Sequence, residues 1–296
     1  VSLRAAPIPF DLRQLVGAVE IDNQRVRLRD VRGVIEQEGR TPQVAVRGTF
    51  DVDGDPRELT VEVTNLLMGE KLVRAIPDIG EELWRMFRPT GVVDGSITIR
   101  DTGQGEPQVS GSFDLYDGVV RSQYTPLPLR NVAAHIRFND ETIQIARLSG
   151  LVAREDGEGP HVNPGRIVLS GEVDRHGRRG SFGIQIPSLK LTEPVVRSLP
   201  EFGEPLWEHL RPEGVMSARG WLAFDLDWEE PVSYLLDMEL KNSTATWEGF
   251  PASMSSLNGT ILLSEKNIFV PHVSGVIAGG PFDASGFASR DEGDTL

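Results

Sequence analysis

The sequence contains no cysteine. That removes a disulfide framework and any thiolate metal site, and it fits either a reducing cytosol or a periplasm. No apolar run approaches the roughly 20 residues that cross a bilayer as a helix, and no signal-peptide pattern is present. Basic residues are in deficit: 44 Asp+Glu face 30 Lys+Arg, for a formal net charge of −14. A surface of that sign is wrong for nucleic acid and for docking flat on anionic lipid headgroups.

Chemistry-bearing motifs are missing too. The five histidines, His135, His161, His176, His209 and His272, never pair at ligand spacing, and no HExxH occurs. There is no Gly-x-Ser-x-Gly elbow and no phosphate loop. Asp51, Asp53 and Asp55 in DVDGD echo the start of a calcium loop. The remaining ligands are absent, and an acidic hairpin turn explains the run better. Among 44 acids nothing singles out a catalytic pair. No catalytic residue, metal site or cofactor is therefore expected. Asn242-Ser243-Thr244 and Asn258-Gly259-Thr260 match the glycosylation pattern; Asn-Gly at a strand turn is the simpler reading.

What is present is a repeat. Leu72 to Gly95 reads LVRAIPDIGEELWRMFRPTGVVDG, and Val195 to Ala218 reads VVRSLPEFGEPLWEHLRPEGVMSA. Pro77 and Pro200, like Trp84 and Trp207, stand 123 apart (200 − 77, 207 − 84). Such a spacing marks tandem copies of one structural unit. From Gly95 to Gly150 the matching offset becomes 125 (220 − 95, 275 − 150), pairing Gly95, Pro126, Ile136, Ile143 and Gly150 with Gly220, Pro251, Ile261, Ile268 and Gly275. Gly33 stands where Gly150 and Gly275 stand, so the N-terminal segment is the tail of a further copy. The expected organisation is 1–57 as the end of an upstream repeat, 58–180 as a complete repeat with helical unit 69–90, and 181–296 as a second repeat with helical unit 192–213.

Each helical unit reads as a broken helix. Glu70 and Glu193 fall in a first turn, where a carboxylate suits the free N–H groups. Pro77 and Pro200 end that helix. A second follows, with Ile79, Leu83, Phe87 or Phe202, Leu206, Leu210 on one face. Arg88-Pro89 and Arg211-Pro212 stop it, and Gly91 and Gly214 suit the turn out. Trp84 and Trp207 lie one residue off the stripe. They fit either a core shoulder against a sheet or the mouth of a binding groove.

Elsewhere the period is two. Val26 and Leu28 alternate with arginines, and Asp22-Asn23-Gln24 precedes them as a turn. Val44, Val46, Gly48, Phe50 and Val52 alternate ahead of Asp53-Gly54, a hairpin signal. Ile136 and Phe138 are separated from Ile143 and Ile145 by Asn139-Asp140. Ile167, Leu169 and Val173, then Leu222, Phe224 and Leu226, continue the pattern. Pro126 and Pro128 interrupt it, and Arg154 to Gly165 has loop composition. Gly33, Gly150 and Gly275 sit at equivalent strand positions, where glycine permits a bulge or bend. Regular hairpins favour an antiparallel meander over a βαβ arrangement.

This combination resembles the AsmA-like proteins of Gram-negative cell envelopes, the group that includes TamB and YhdP. The residues that carry the likeness are the strand–turn–strand–Gly segments AAHIRFNDETIQIARLSG and LNGTILLSEKNIFVPHVSG, the later strand RIVLSGEVD, and the LP–helix–RP-x-G unit, whose first copy has Ile76 in place of the leucine. The likeness covers nearly the whole chain. It implies a mainly β fold: an elongated, curved antiparallel sheet, taco-like, with an apolar groove. It implies an inner-membrane-anchored periplasmic protein that conducts phospholipid toward the outer membrane, and no catalytic residues. Any anchor would lie outside this segment.

The expected lipid-groove residues are Val44, Val46, Phe50, Ile143, Ile145, Ile167, Leu169, Val173, Leu222, Phe224 and Leu226, with Trp84 and Trp207 at a groove mouth. Arg47, Asp51, Gln144, Arg166, Glu172, Asp225 and Asp227 fall on the opposite face. Expected partners are phospholipid acyl chains and an envelope protein, not nucleic acid. A structural or assembly scaffold with a closed β core is the competing reading, because alternation buries one face in either case.

Overall fold

The computed structural model describes residues 12–22, 24–37, 39–51, 56–75, 80–103, 107–121, 127–152, 165–197, 203–228, 231–249 and 252–289. Expectations on Asp53-Gly54, Pro77, Ile79, Pro126, Pro200, Phe202, Pro251 and the loop through residue 164 lie outside these.

The chain is mainly β. Fifteen strands form one antiparallel sheet, ordered β1 to β15 as in the sequence and not closed. They are β1 Leu12–Ile21, β2 Arg25–Ile35, β3 Gln43–Asp51, β4 Pro56–Met68, β5 Thr90–Arg100, β6 Gln108–Val120, β7 Leu129–Phe138, β8 Thr142–Val152, β9 Arg166–Asp174, β10 Arg179–Leu191, β11 Glu213–Asp225, β12 Val232–Thr246, β13 Ser253–Ser264, β14 Asn267–Ile277 and β15 Gly280–Ser289. The chain forms two compact units. The first holds β1–β6 with most of β7 and β8, and the second most of β9 with β10–β15.

The repeat in sequence is a repeat in structure. In the first unit, β4 leads through α1 (Glu70–Arg74) and α2 (Gly80–Phe87) into its neighbour β5. In the second, β10 leads through α3 (Glu193–Arg197) and α4 (Gly203–Leu210) into β11. The glutamates that open α1 and α3 take part in a clip. Arg74 binds Glu70 at 3.0 Å and Glu81 at 3.2 Å. Arg197 binds Glu193 at 2.9 Å and also Glu204. One guanidinium thus ties the two short helices in each copy. Beneath it Val73 and Val196 are fully buried. The second helix does not stop on glycine. Arg88 and Arg211 adopt the left-handed conformation, φ 39° and 37°, and donate N–H bonds to the Trp84 and Trp207 carbonyls at 3.1 and 3.3 Å. Gly91 and Gly214 instead enter the next strand with positive φ.

Register locates the insertion between the copies. Val93 pairs with Leu66 and Met216 with Leu189, an offset of 123 on both strands (216 − 93, 189 − 66). Leu115 pairs with Val93 and Leu240 with Met216, so the offset becomes 125 only from β6 onward (240 − 115). Gly95 therefore corresponds to Ala218, not to Gly220 as the matched glycines suggest. The two extra residues lie in the turn between these strands.

Bulges recur at equivalent places. Asp117 and Asn242, like Asn131 and Ser256, have φ between 46° and 51°. Each pair is 125 apart (242 − 117, 256 − 131). Gly33 and Gly275 prove not to be bulges themselves. The irregularity lies in the preceding strand, across Arg13/Val16 and Ser255/Asn258, at Gln14 and Ser256. The glycines receive the leucine that follows: a Cβ on either would stand 2.8 Å from Cδ2 of Leu15 or Leu257. Asn258-Gly259 is likewise inside β13, not at a turn. The reason is the bulge opposite, which strips Asn242 of a ladder acceptor; its N–H is taken by Asn258 Oδ1 at 3.0 Å. Asp22 and Asn139 do form the turns expected of them, each accepting two backbone N–H groups within three residues.

The contact between paired helices gives a direct test. A Cβ at Gly80 or Gly203 would stand 2.3 Å from the carbonyl oxygen of Val73 or Val196. Gly80→Ala and Gly203→Ala should each destabilise by roughly 1–3 kcal/mol in urea unfolding, the usual range for overpacking. Gly69→Ala, where a Cβ meets nothing within 4 Å, should stay within about 0.5 kcal/mol of wild type. Equal effects at all three positions would refute the clipped geometry.

Candidate functional site: the apolar face of the sheet

Because side chains alternate, antiparallel register assembles the apolar residues of neighbouring strands on one face. In the first unit Val44 pairs with Val63, Val46 with Val61, and Phe50 with Val26. Val61 and Leu59 pair with Ile97 and Ile99. Phe113 stacks on Phe138, centroids 5.5 Å apart, and its ring covers Gly95. In the second unit Phe182 pairs with Leu222 and stacks on Phe224, centroids 6.3 Å apart. Leu222 pairs with Tyr234, and Leu236 with Leu263.

Burial along this face is uneven. Near the helices it is complete. Leu12, Ile35, Val44 and Leu66 form a buried cluster with Val46, Val61 and Leu72 against it. Leu189, Leu191, Val195, Val196, Met216 and Met238 form another, with Leu206 and Trp207 packed on it. Away from the helices burial is partial: Phe50, Ile97, Ile99, Ile143, Ile145, Ile167, Leu169, Val173, Leu222 and Phe224 all retain exposure, while Tyr234 and Leu263 in the second unit are buried and Leu222 packs on their cluster. All fifteen strands belong to the one sheet, so among the described residues no second sheet covers them.

Ten of the eleven anticipated groove residues lie within strands. The register sets Val44, Val46, Phe50, Leu222 and Phe224 in apolar rows, and of the ten Val44 alone is fully buried. Leu226 does not join them. β11 ends at Asp225, the chain turns as Trp228 N–H bonds the Asp225 carbonyl, and Leu226 is left 59% exposed. Trp84 and Trp207 are half-buried, and Trp207 packs on the cluster beneath α4.

The opposite face is charged and self-paired. Arg47 binds Glu62 at 2.7 Å, Arg100 binds Glu58 at 2.8 Å, and Arg219 binds Asp237 at 2.9 Å. Such exposed pairs contribute little each, but they keep this face solvated. His135 bonds Asp114 through Nδ1 at 2.7 Å and accepts from Arg137 Nε at 3.1 Å. Asp225 departs from the expectation of an open polar residue. It is buried under its turn, bonded to Arg179 at 2.9 Å and to the Asp227 N–H at 2.9 Å. Among the described residues no group of three or more His, Asp or Glu is placed to hold a metal. No described helix is long and apolar enough to cross a membrane.

No family model, no curated protein and no solved structure matches this chain.

Two measurements probe the faces. Trp207→Ala should lower stability by about 2 kcal/mol, below the 3–5 kcal/mol of a fully enclosed aromatic; a loss under about 0.5 kcal/mol would assign the indole to the surface. On the other side, Tyr116 is pushed up to about 12, first by burial and then by its bond to Asp94. Its folded value lies above its unfolded one. Its contribution is therefore complete below pH 10 and is lost as pH rises from 10 toward 12. Tyr116→Phe should flatten the decline in stability across that window, and an unchanged decline would refute the assignment.

Proposed function

We propose that this chain is a periplasmic segment of an AsmA-like envelope protein whose apolar sheet face holds phospholipid acyl chains and conducts lipid between inner and outer membranes. The observation that carries the reading is the rows of half-buried apolar side chains in each unit, over which no second sheet lies among the described residues. Acyl chains need only non-directional apolar contact, and a half-covered face offers it without a shaped pocket. The rows Val31–Val46–Val61–Ile97–Gly111 and Gly180–Phe224–Val232 carry no charged residue, which suits the same cargo, since a stranded charge there would be costly. The proposed protein is non-enzymatic, with its membrane anchor elsewhere in the full polypeptide.

One observation favours the competing scaffold reading. The clusters beneath the helices are fully buried, as a sealed core would be. A spacer or an assembly partner in outer-membrane protein biogenesis would use the same alternation to close a core.

A charge placed on the apolar face separates the two. Ile145→Asp and Phe224→Asp are compared with wild type in thermal melts, in photo-crosslinking to a diazirine phospholipid, and in mass spectrometry of extracted lipid. On an open face the carboxylate stays hydrated, so both variants melt near wild type and capture several-fold less lipid. Unfolded variants, together with a wild-type chain that never carries lipid, refute conduction and leave the scaffold.

A further inference from the structure

Glycine in a strand interior weakens the strand, so each one calls for a reason. Most here have a steric one: a Cβ at Gly171 or Gly220 would press within about 2 Å of a neighbouring carbonyl. Gly183, in β10, has none. A Cβ there would meet nothing closer than Ser170 Oγ at 3.6 Å. Its backbone is not left-handed. Its register is unbroken, with Phe182, Gly183 and Ile184 opposite Leu222, Trp221 and Gly220 in turn. Packing, positive φ and bulging are thus removed as causes. Close approach of a ligand to the backbone is a further cause of strand glycines.

The surroundings support that cause. Gly183 is the floor of a depression of about 430 Å³ on the charged face of the second unit, opposite the apolar rows. The volume lies in the range of about 300–1,000 Å³ typical of small-molecule sites. Trp221 stands directly across from Gly183 and is 46% exposed. Its ring does not lean over the glycine, unlike Phe113 over Gly95. The hollow beside an indole is left unfilled. Leu235, paired with Trp221, extends the apolar wall. Gln185 and the Arg219–Asp237 pair form a polar rim.

The first repeat fills the same place. At the offset of 123, Gly183 and Trp221 correspond to Thr60 and Thr98, which pair directly and bring their hydroxyls to 3.3 Å. The depression is therefore a specialisation of the second copy and no requirement of the fold.

We propose that this depression binds a neutral saccharide. A pyranose ring has an apolar C–H face that suits the electron-rich face of an indole, and equatorial hydroxyls at its edge that suit an amide, a guanidinium and a carboxylate. Arg219 and Asp237 neutralise one another, so the rim attracts neither sign, and the chain's charge of −14 opposes an acidic sugar. The site lies on the face that the lipid reading does not use, and it stands independently of that reading.

The test is calorimetric titration of the full chain with chitotetraose, cellotetraose and maltotetraose, and with a polyproline decapeptide, whose flat rings also stack on indoles. At least one sugar should bind the wild type. The double variant Gly183→Thr/Trp221→Thr, which installs the pair the first repeat already carries, should melt as wild type does and bind that sugar at least tenfold more weakly. Gly183→Val alone should weaken it similarly. The proposal is overturned if no sugar binds, if the folded double variant binds as well as wild type, or if polyproline is captured in place of sugar.

Discussion

The structure depends on one constraint: in a single open sheet, every strand must keep its apolar residues on the same side as its neighbour's. A slip of one residue would turn a whole row outward. Long strands cannot hold that agreement unaided, because each bulge moves the ladder by one. The recurring positive-φ residues are where these adjustments are made. Asp117 and Asn242 lie in one pair of matched strands, and Asn131 and Ser256 in the next. Each adjustment then sets a condition on the adjoining strand. Gly275 must be small to receive Leu257, and Asn258 must supply an acceptor to the freed Asn242 N–H.

The helical units answer a different need. A sheet with one apolar face must cover it somewhere to be stable. Here the cover is two short helices per repeat, each too short to persist alone. The shared arginine and the close glycine contact make one compact cap out of two fragments. Val73 and Val196 show how complete that cover is, while the rows around Ile97 and Phe224 show where it ends. The division into capped and uncapped stretches gives the molecule both a stabilising core and an accessible apolar surface.

Repetition also makes the differences between copies informative. Where both copies keep a residue, as with the Arg74 and Arg197 clips, the fold itself supplies the reason. Where they diverge on an exposed face, as with Thr60–Thr98 against Gly183–Trp221, packing supplies none. The first copy hydrogen-bonds across the pair, and the second leaves a hollow beside an indole.

The alternation of Val44, Val46 and Phe50, or of Leu222 and Phe224, was enough to place strands and their apolar side, because a period of two has one structural meaning. The doubled segment, Ile76-Pro77 or Leu199-Pro200 followed by a helix and Arg-Pro-x-Gly, was enough to establish two copies with helices at matching points. Asp22 and Asn139 announced their own turns. Other features were decided only in three dimensions, since they rest on contacts between strands that no single segment carries. Asn258-Gly259 has the composition of a turn and lies mid-strand, because a bulge in β12 needs its side chain. Gly95 matches Gly220 by eye yet corresponds to Ala218 by register. Leu226 shares its period with Phe224 but falls past the end of the ladder. The hollow at Gly183 could not be read from the chain at all, for its meaning comes from Trp221, thirty-eight residues away (221 − 183) and directly across the sheet. Local pattern determined the elements and their apolar side; register, set by bulges and neighbours, decided which residues meet.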